Sequence, residues 1–192
     1  GDAETPTILP NKSSLRSQNV STQFTTSLKF AGGTLSNGIV AFTGSNTYGL
    51  TNLVDSHMMK NSEWGAVAYL SHSIYGINEE IRVNNYWNNY TTKTGCGASE
   101  SNVSLSSECQ IAYGGATSYP QSTTGNISGV FDMSGGALEY VMGVLADSTG
   151  NPRSGYYSSI NSGFNGLLSD DTSYTSGINF PESKYFDLYA SN

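Results

Sequence analysis

The sequence predicts a single α+β domain, and three features along the chain lead to that prediction. Residues 24–42 mix apolar side chains with paired turn formers, which is typical of short strands joined by tight turns. Residues 56–70 place apolar side chains at helical spacing. Residues 148–179 follow neither period and are rich in glycine and tyrosine. Because the 192 residues show no sharp break in composition, we expect one domain over 1–192.

The first part of the chain is predicted to be an extended lead-in followed by strands. Residues 1–23 contain Pro6 and Pro10, which oppose an early helix. Within 24–42, the pair Asn37-Gly38 is the strongest hairpin signal of the sequence, since both residues tolerate the positive φ of a two-residue turn. We therefore expect a hairpin centred on that pair.

A helix is predicted over 56–70, and it should be the longest in the protein. Met58, Val67 and Leu70 lie at helical spacing, and Ser62 is a candidate cap for its second half. Glu63 would then lie near the positive end of the helix dipole. The turn-rich residues 71–76 end the helix.

The second half of the chain is predicted to be mostly irregular. Residues 78–93 read as a short strand that enters an amide-rich loop, and 137–145 read as a buried helix or strand. Residues 148–179 form a long irregular region of a kind that is usually functional or poorly ordered. Residues 180–189 are expected to form a short turn and helix that close the domain.

Composition and charge limit the classes of function. Only 12% of residues are charged, the formal net charge is −7, and the eight Lys and Arg residues form no patch, which argues against nucleic acid as a partner. No apolar run approaches the roughly 20 residues of a transmembrane helix. Since the chain also opens without a basic and apolar leader, we expect a mature or trimmed ectodomain that is secreted or lies at the cell surface.

The two cysteines, Cys96 and Cys109, lie in a stretch rich in glycine and serine. A disulfide between them is the favoured interpretation for an extracellular protein, and closing a loop of that size would stabilise the fold by roughly 3 kcal/mol. Two unpaired thiols are the alternative. The spacing does not match a C-x-x-C redox or zinc motif.

Residues 129–143 carry a recognisable motif. The segment resembles the G-[LV]-Y-D-M-S-G-N-V-W-E-W signature of formylglycine-generating-enzyme-like modules, a branch of the C-type lectin fold. Direct matches are Gly129, Asp132, Met133, Ser134, Gly135 and Glu139. A second, looser likeness to the family's T-E-A-E-W-E-x-A-A helix lies upstream and rests on Glu63 and Trp64. The resemblance implies a C-type-lectin-like fold with short twisted antiparallel strands, one or two helices and long irregular loops.

Two departures from the family pattern argue against calcium binding and against catalysis. Gly136 replaces the Asn of the family's calcium sites, and a glycine offers calcium no side-chain oxygen, so no cofactor is expected and calcium stays an open alternative. The family's enzymes carry their reactive cysteine in a later block that begins R-G-G-S, and this segment does not occur here. No catalytic residue is therefore assigned. The alternatives are an oxidase whose catalytic block is missing from this chain, and a structural filament subunit.

Three other candidate sites have plainer interpretations. Asp132 and Glu139 form a carboxylate pair, but turn and framework roles account for both. His57 with Asp55 is a candidate metal pair, although surface histidines are commonly without a metal. Asp147 with Asp170-Asp171 is a candidate calcium loop, for which the alternative is a solvated acidic turn. No metal site is assigned.

The predicted binding surface lies in the irregular region 148–179. Aromatic side chains provide rigid contact area at low entropic cost, and asparagine adds hydrogen bonding. We expect a non-catalytic extracellular module, either a surface adhesin or a pilus-type or receptor-binding protein. Its partner would be a protein or glycan on a cell surface, with self-association as an alternative. The predicted contact residues are Tyr156, Tyr157, Asn161, Phe164, Asn165 and Tyr174.

Overall fold

The protein is of the mixed α+β class. The computed structural model describes residues 5–7, 15, 18–43, 48, 50–51, 53–81, 116–131, 133, 139–146, 163–164 and 178–190. Within these ranges the elements are α1 (Val20–Lys29), β1 (Gly33–Ser36), β2 (Ile39–Phe42), α2 (Asn61–Leu70), β3 (Gly143–Leu145) and β4 (Asp187–Tyr189). Short 3-10 helices cover Ala116–Gln121 and Ser183–Tyr185.

The chain divides into two compact units. Unit 1 comprises Gly1–Thr7, Leu15–Asn61 and Tyr140–Asn192, and unit 2 comprises Ile8–Ser14 and Ser62–Glu139. A single domain over the whole chain stays a prediction. Neither α1 nor α2 is long and apolar enough to cross a membrane, and the same is true of every other helical segment in the described ranges.

Helix α1 corrects the prediction for the first part of the chain, where an extended lead-in and then strands were expected. Phe24 and Leu28, four residues apart, are both fully buried on one face of the helix. The hydroxyl of Thr25 donates a 3.0 Å hydrogen bond to the Ser21 carbonyl, so this β-branched residue is accommodated within the helix. Burial of the Phe24 and Leu28 face outweighs the weak strand preference of the threonines.

The predicted hairpin at Asn37-Gly38 is confirmed. Strands β1 and β2 pair antiparallel, and Ser36 lies opposite Ile39. Asn37 has a φ of 50° and Gly38 a φ of 79°, the two positive values that a type I′ turn requires. The turn therefore sets the register of both strands.

Helix α2 is shorter than the predicted helix over 56–70. It begins at Asn61, so Ser62 lies inside it, and at ten residues it is as long as α1. The preceding residues pair with another part of unit 1: the Met142 amide donates a 3.0 Å hydrogen bond to the Met59 carbonyl, and Lys60 forms a parallel bridge with Met142. This pairing keeps the chain extended up to the first residue of α2.

Strands β3 and β4 pair in parallel, which corrects the expectation of antiparallel strands throughout. The Asp187 amide donates to the Met142 carbonyl at 3.0 Å, and the Ala146 amide donates to the Tyr189 carbonyl at 2.5 Å. A parallel pair needs a long connection, and more than 40 residues separate the two strands in the sequence. The predicted turn-and-helix ending is thus a 3-10 turn followed by a strand.

The core of unit 1 is built on aromatic rings from distant parts of the sequence. The ring of Phe24 makes edge contacts with Phe164 at 6.0 Å and Tyr185 at 5.7 Å between centroids. Phe180 joins Phe164 at 4.8 Å. The buried cluster consists of Phe24, Leu28, Met58, Met142, Val144, Phe164, Phe180 and Tyr185.

Candidate functional site

An open cleft of about 370 Å³ lies beside helix α2, and the described residues that line it belong to unit 2. The helix supplies four of them, and the chain that follows the helix supplies most of the rest. The lining comprises Trp64, Gly65, Ala68, Tyr69, Ser71, His72, Glu80, Ile81 and Met133.

The helical wall follows from the order of residues in α2. Trp64 and Ala68 are four residues apart, as are Gly65 and Tyr69, so two adjacent rows of the helix face the cleft. A Cβ atom at Gly65 would meet nothing within 4 Å, which shows that the glycine leaves open space along this wall. Tyr69 is 76% exposed and therefore stands at the rim of the cleft.

Serine side chains terminate the helix and bring the next segment to the cleft. The hydroxyl of Ser71 donates to the Ala68 carbonyl at 2.7 Å, and that of Ser73 donates to the Leu70 carbonyl at 2.8 Å. The same two carbonyls also accept from the backbone amides of Ser71, at 3.3 Å, and Ser73, at 3.0 Å, so i to i+3 bonds tighten the end of the helix. The chain then returns, and Glu80 and Ile81 complete the lining on this side.

The turn that precedes Met133 anchors the returning segment. The Ile77 amide donates to the Thr123 carbonyl at 2.9 Å, and the Thr123 amide donates to the Val130 carbonyl at 3.0 Å. Gly129 approaches this turn so closely that a Cβ atom would overlap the Ser122 hydroxyl. This close approach is a physical reason for the glycine that begins the recognised motif.

Two residues from the recognised segments form a direct bond. The indole Nε1 of Trp64 donates a 2.5 Å hydrogen bond to Oε2 of Glu139. The sequence predicts a framework role for Glu139, and its exposed carboxylate accepts this bond from the half-buried indole. Met133 lines the cleft with Trp64, and Glu63 lies in the first turn of α2, where the helix dipole favours an acidic group.

The described part of unit 2 is acidic. Over the whole of unit 2, seven Asp and Glu residues stand against three Lys and Arg residues. Glu79 and Glu80 are exposed, and Glu80 lines the cleft together with His72. The acidic residues of its described part are Glu63, Glu79, Glu80 and Glu139.

The candidate metal pair lies in unit 1. Nδ1 of His57 is 3.6 Å from Oδ1 of Asp55 and 3.1 Å from the Asp55 backbone carbonyl oxygen. Among the residues that the structure describes, no group of three His, Cys, Asp or Glu side chains is placed to hold a metal ion. The two groups form a local turn contact.

The predicted contact residue Phe164 is corrected by the structure. Its ring is only 1% exposed and packs against Phe24 and Phe180 in the core of unit 1, because burial of a phenylalanine ring is strongly favourable. It therefore offers no surface to a partner.

Several other predicted residues lie outside the described part of the chain. From the predicted binding surface these are Tyr156, Tyr157, Asn161, Asn165 and Tyr174. From the motif, the proposed disulfide and the candidate calcium loop they are Asp132, Ser134, Gly135, Cys96, Cys109, Asp147, Asp170 and Asp171.

Sequence reasoning missed most of the cleft. Tyr69, His72, Glu80 and Ile81 were not assigned to a site, because they belong to a helix end and a turn with no recognised motif. Tyr69 is 76% exposed, but this exposure is a property of the fold and is not visible in the sequence.

Comparison of the chain with protein families, with curated proteins and with solved structures gives no match.

Proposed function

We propose that the protein is a non-catalytic extracellular binding module, acting as a surface adhesin or a pilus-type or receptor-binding protein. The observation that carries the proposal is the open cleft beside α2, with Trp64 in its wall and the exposed Tyr69 at its rim. Concave sites with aromatic walls and a few polar groups are the usual form of binding sites. The partner is a protein or a glycan on a cell surface.

The fold that we propose is the C-type-lectin-like fold of formylglycine-generating-enzyme-like modules. The Trp64 to Glu139 hydrogen bond supports it, because the bond joins the two sequence segments that carry the resemblance. The close approach of Gly129 to Ser122 also supports it, since it gives a matching motif residue a structural role. Both observations concern the framework and assign no chemistry.

The environment of Glu139 favours a framework role for this residue. Its Oε2 atom accepts a 2.5 Å hydrogen bond from the Trp64 indole. An indole N–H is a donor only and takes up no proton at neutral pH. The bond thus favours a positioning role for Glu139.

A binding screen with matched variants tests the proposal. The purified protein would be applied to a glycan array and to immobilised cell-surface proteins, and each ligand found would be tested against Tyr69→Ala. We expect a loss of about tenfold or more in affinity if Tyr69 is an anchor residue. Tyr75→Ala is the control, because Tyr75 is 82% exposed but does not line the cleft.

Two results would contradict the proposal. Equal effects of the Tyr69 and Tyr75 variants on every ligand would remove the cleft from the binding surface. Turnover of a thiol or peptide substrate by the purified protein would show that the module is an enzyme.

A further inference from the structure

We propose that the cleft beside α2 takes a basic side chain, lysine or arginine, presented by a segment of a protein partner. This inference rests on the proposed function as a binding module and specifies the chemistry of its partner. It follows from the aromatic wall, the acidic group on the cleft and the charge of the surrounding unit.

The aromatic wall is suited to a cation. Trp64 lines the cleft, and its hydrogen bond to Glu139 is made by the ring N–H in the plane of the indole. That bond fixes one edge of the ring, and the same residue lines the cleft. A lysine ammonium or arginine guanidinium over the face of a tryptophan is stabilised by about 0.5–1 kcal/mol at exposed sites.

The remaining lining matches the rest of a basic side chain. Ala68 and the small exposed parts of Ile81 and Met133 provide apolar surface for the methylene stem of lysine or arginine. Glu80 contributes an exposed carboxylate to the same cleft, and we expect the cationic end to pair with it. The volume of about 370 Å³ is at the small end of the range for ligand sites, which suits one side chain better than a folded element.

Charge complementarity favours a basic partner over an acidic or neutral one. Unit 2 contains seven Asp and Glu residues against three Lys and Arg residues, which gives it a formal net charge of −4. The whole chain carries a formal net charge of −7. A cationic segment is therefore attracted before contact, whereas a phosphorylated or acidic segment is repelled.

The test uses tryptophan fluorescence of the full chain. The protein has two tryptophans, so Trp87→Phe leaves Trp64 as the single reporter in the cleft. The probes are N-acetyl-lysine N-methylamide and its uncharged analogue N-acetyl-norleucine N-methylamide, titrated to tens of millimolar because one side chain gives roughly millimolar affinity. We expect the lysine probe to change the emission saturably and to bind at least about fivefold more tightly than the norleucine probe.

Matched carboxylate variants complete the test. Glu80→Gln removes the charge in the cleft and is expected to weaken the lysine probe about fivefold. Glu79→Gln is the control, since Glu79 is the neighbouring exposed carboxylate and does not line the cleft. Added salt should weaken the lysine probe and leave the norleucine probe nearly unchanged.

The outcomes separate this inference from the proposed function. The proposal of a cationic partner would be overturned by any of three results. These are equal affinity for the two probes, no binding of either probe, and equal effects of the two glutamate variants. The proposed function would survive if a cell-surface ligand still lost affinity in Tyr69→Ala. If the protein bound the lysine probe but no cell-surface ligand, the cationic site would be supported and the proposed function would be contradicted.

Discussion

Trp64 and Glu139 are 75 residues apart in the sequence, and the indole of the first donates a 2.5 Å hydrogen bond to the carboxylate of the second. The bond ties helix α2 to the end of the segment that contains Met133. Trp64 and Met133 both line the cleft, so this bond positions part of the candidate site as well as the frame.

The first prediction concerns the energy of that bond. Trp64→Phe removes the donor and Glu139→Ala removes the acceptor, and each is expected to lower the free energy of unfolding by about 1 kcal/mol or more. In a double-mutant cycle the two losses should be less than additive by about 0.5–1 kcal/mol. Urea denaturation would give the free energy of unfolding of the parent protein, the two single variants and the double variant. Strict additivity would show that the bond contributes nothing in solution.

The second prediction concerns Phe164, which the structure assigns to the core. Phe164→Ala should lower the free energy of unfolding by about 3–5 kcal/mol, because it removes a buried ring that contacts Phe24 and Phe180. Ile39→Ala is the control, since Ile39 is 62% exposed and its loss should cost less than about 1 kcal/mol. Thermal unfolding compares them. A Phe164 variant as stable as the control would place that ring at the surface.

The third prediction compares two glycines of unit 2. Gly129→Ala should destabilise the protein by about 1–3 kcal/mol, because the new methyl group would lie 2.5 Å from Oγ1 of Thr124 and closer to Ser122. Gly65→Ala should instead stabilise it by up to about 1 kcal/mol, since Gly65 is inside α2 with open space around its Cα. Denaturation midpoints should move in opposite directions. Movement in the same direction would contradict the packing described for one of the two positions.

The fourth prediction concerns the hairpin turn. Gly38→Ala should cost more than about 1 kcal/mol, because Gly38 has a φ of 79° and a Cβ atom there would lie 2.8 Å from the Phe180 carbonyl oxygen. Asn37→Gly keeps the positive φ at the other turn position accessible and should cost less. Chemical denaturation distinguishes the two. If both variants matched the parent protein, the type I′ turn would not set the strand register.

The fifth prediction concerns the irregular region, where the sequence predicts contact tyrosines. Substituting Tyr156 and Tyr157 together by Ala should reduce partner binding strongly and leave the unfolding midpoint unchanged, since display residues contribute little to a core. Binding to the ligands found in the array measures the effect, and circular dichroism checks the fold. Unchanged binding would exclude these two side chains from the contact surface.

Local sequence patterns predicted those elements whose conformation is set by residues close together in the sequence. Asn37-Gly38 predicts a hairpin because two adjacent residues supply both positive φ values. The centre of α2 was also predictable, since its apolar spacing is internal to one segment. The resemblance of residues 129–143 and 61–70 to one family drew attention to Trp64 and Glu139. It did not predict that their side chains are hydrogen-bonded to each other.

Long-range contacts decided the features that were predicted wrongly. The threonine-rich residues of α1 are helical because Phe24 and Leu28 bury one face against rings from positions 164 and 185. The start of α2 is set by the pairing of Met59 with Met142, which no local propensity reports.

By itself, the sequence determined the α+β class, the hairpin, and the acidic and sparsely charged character of the chain. Only the tertiary structure decided that β3 and β4 run parallel, that Phe164 is a core residue, and that Trp64 and Glu139 meet beside a cleft. The physical reason is the range of the interactions. Turn geometry and helical spacing act over a few residues, whereas burial and side-chain hydrogen bonding depend on which distant residues the fold brings together.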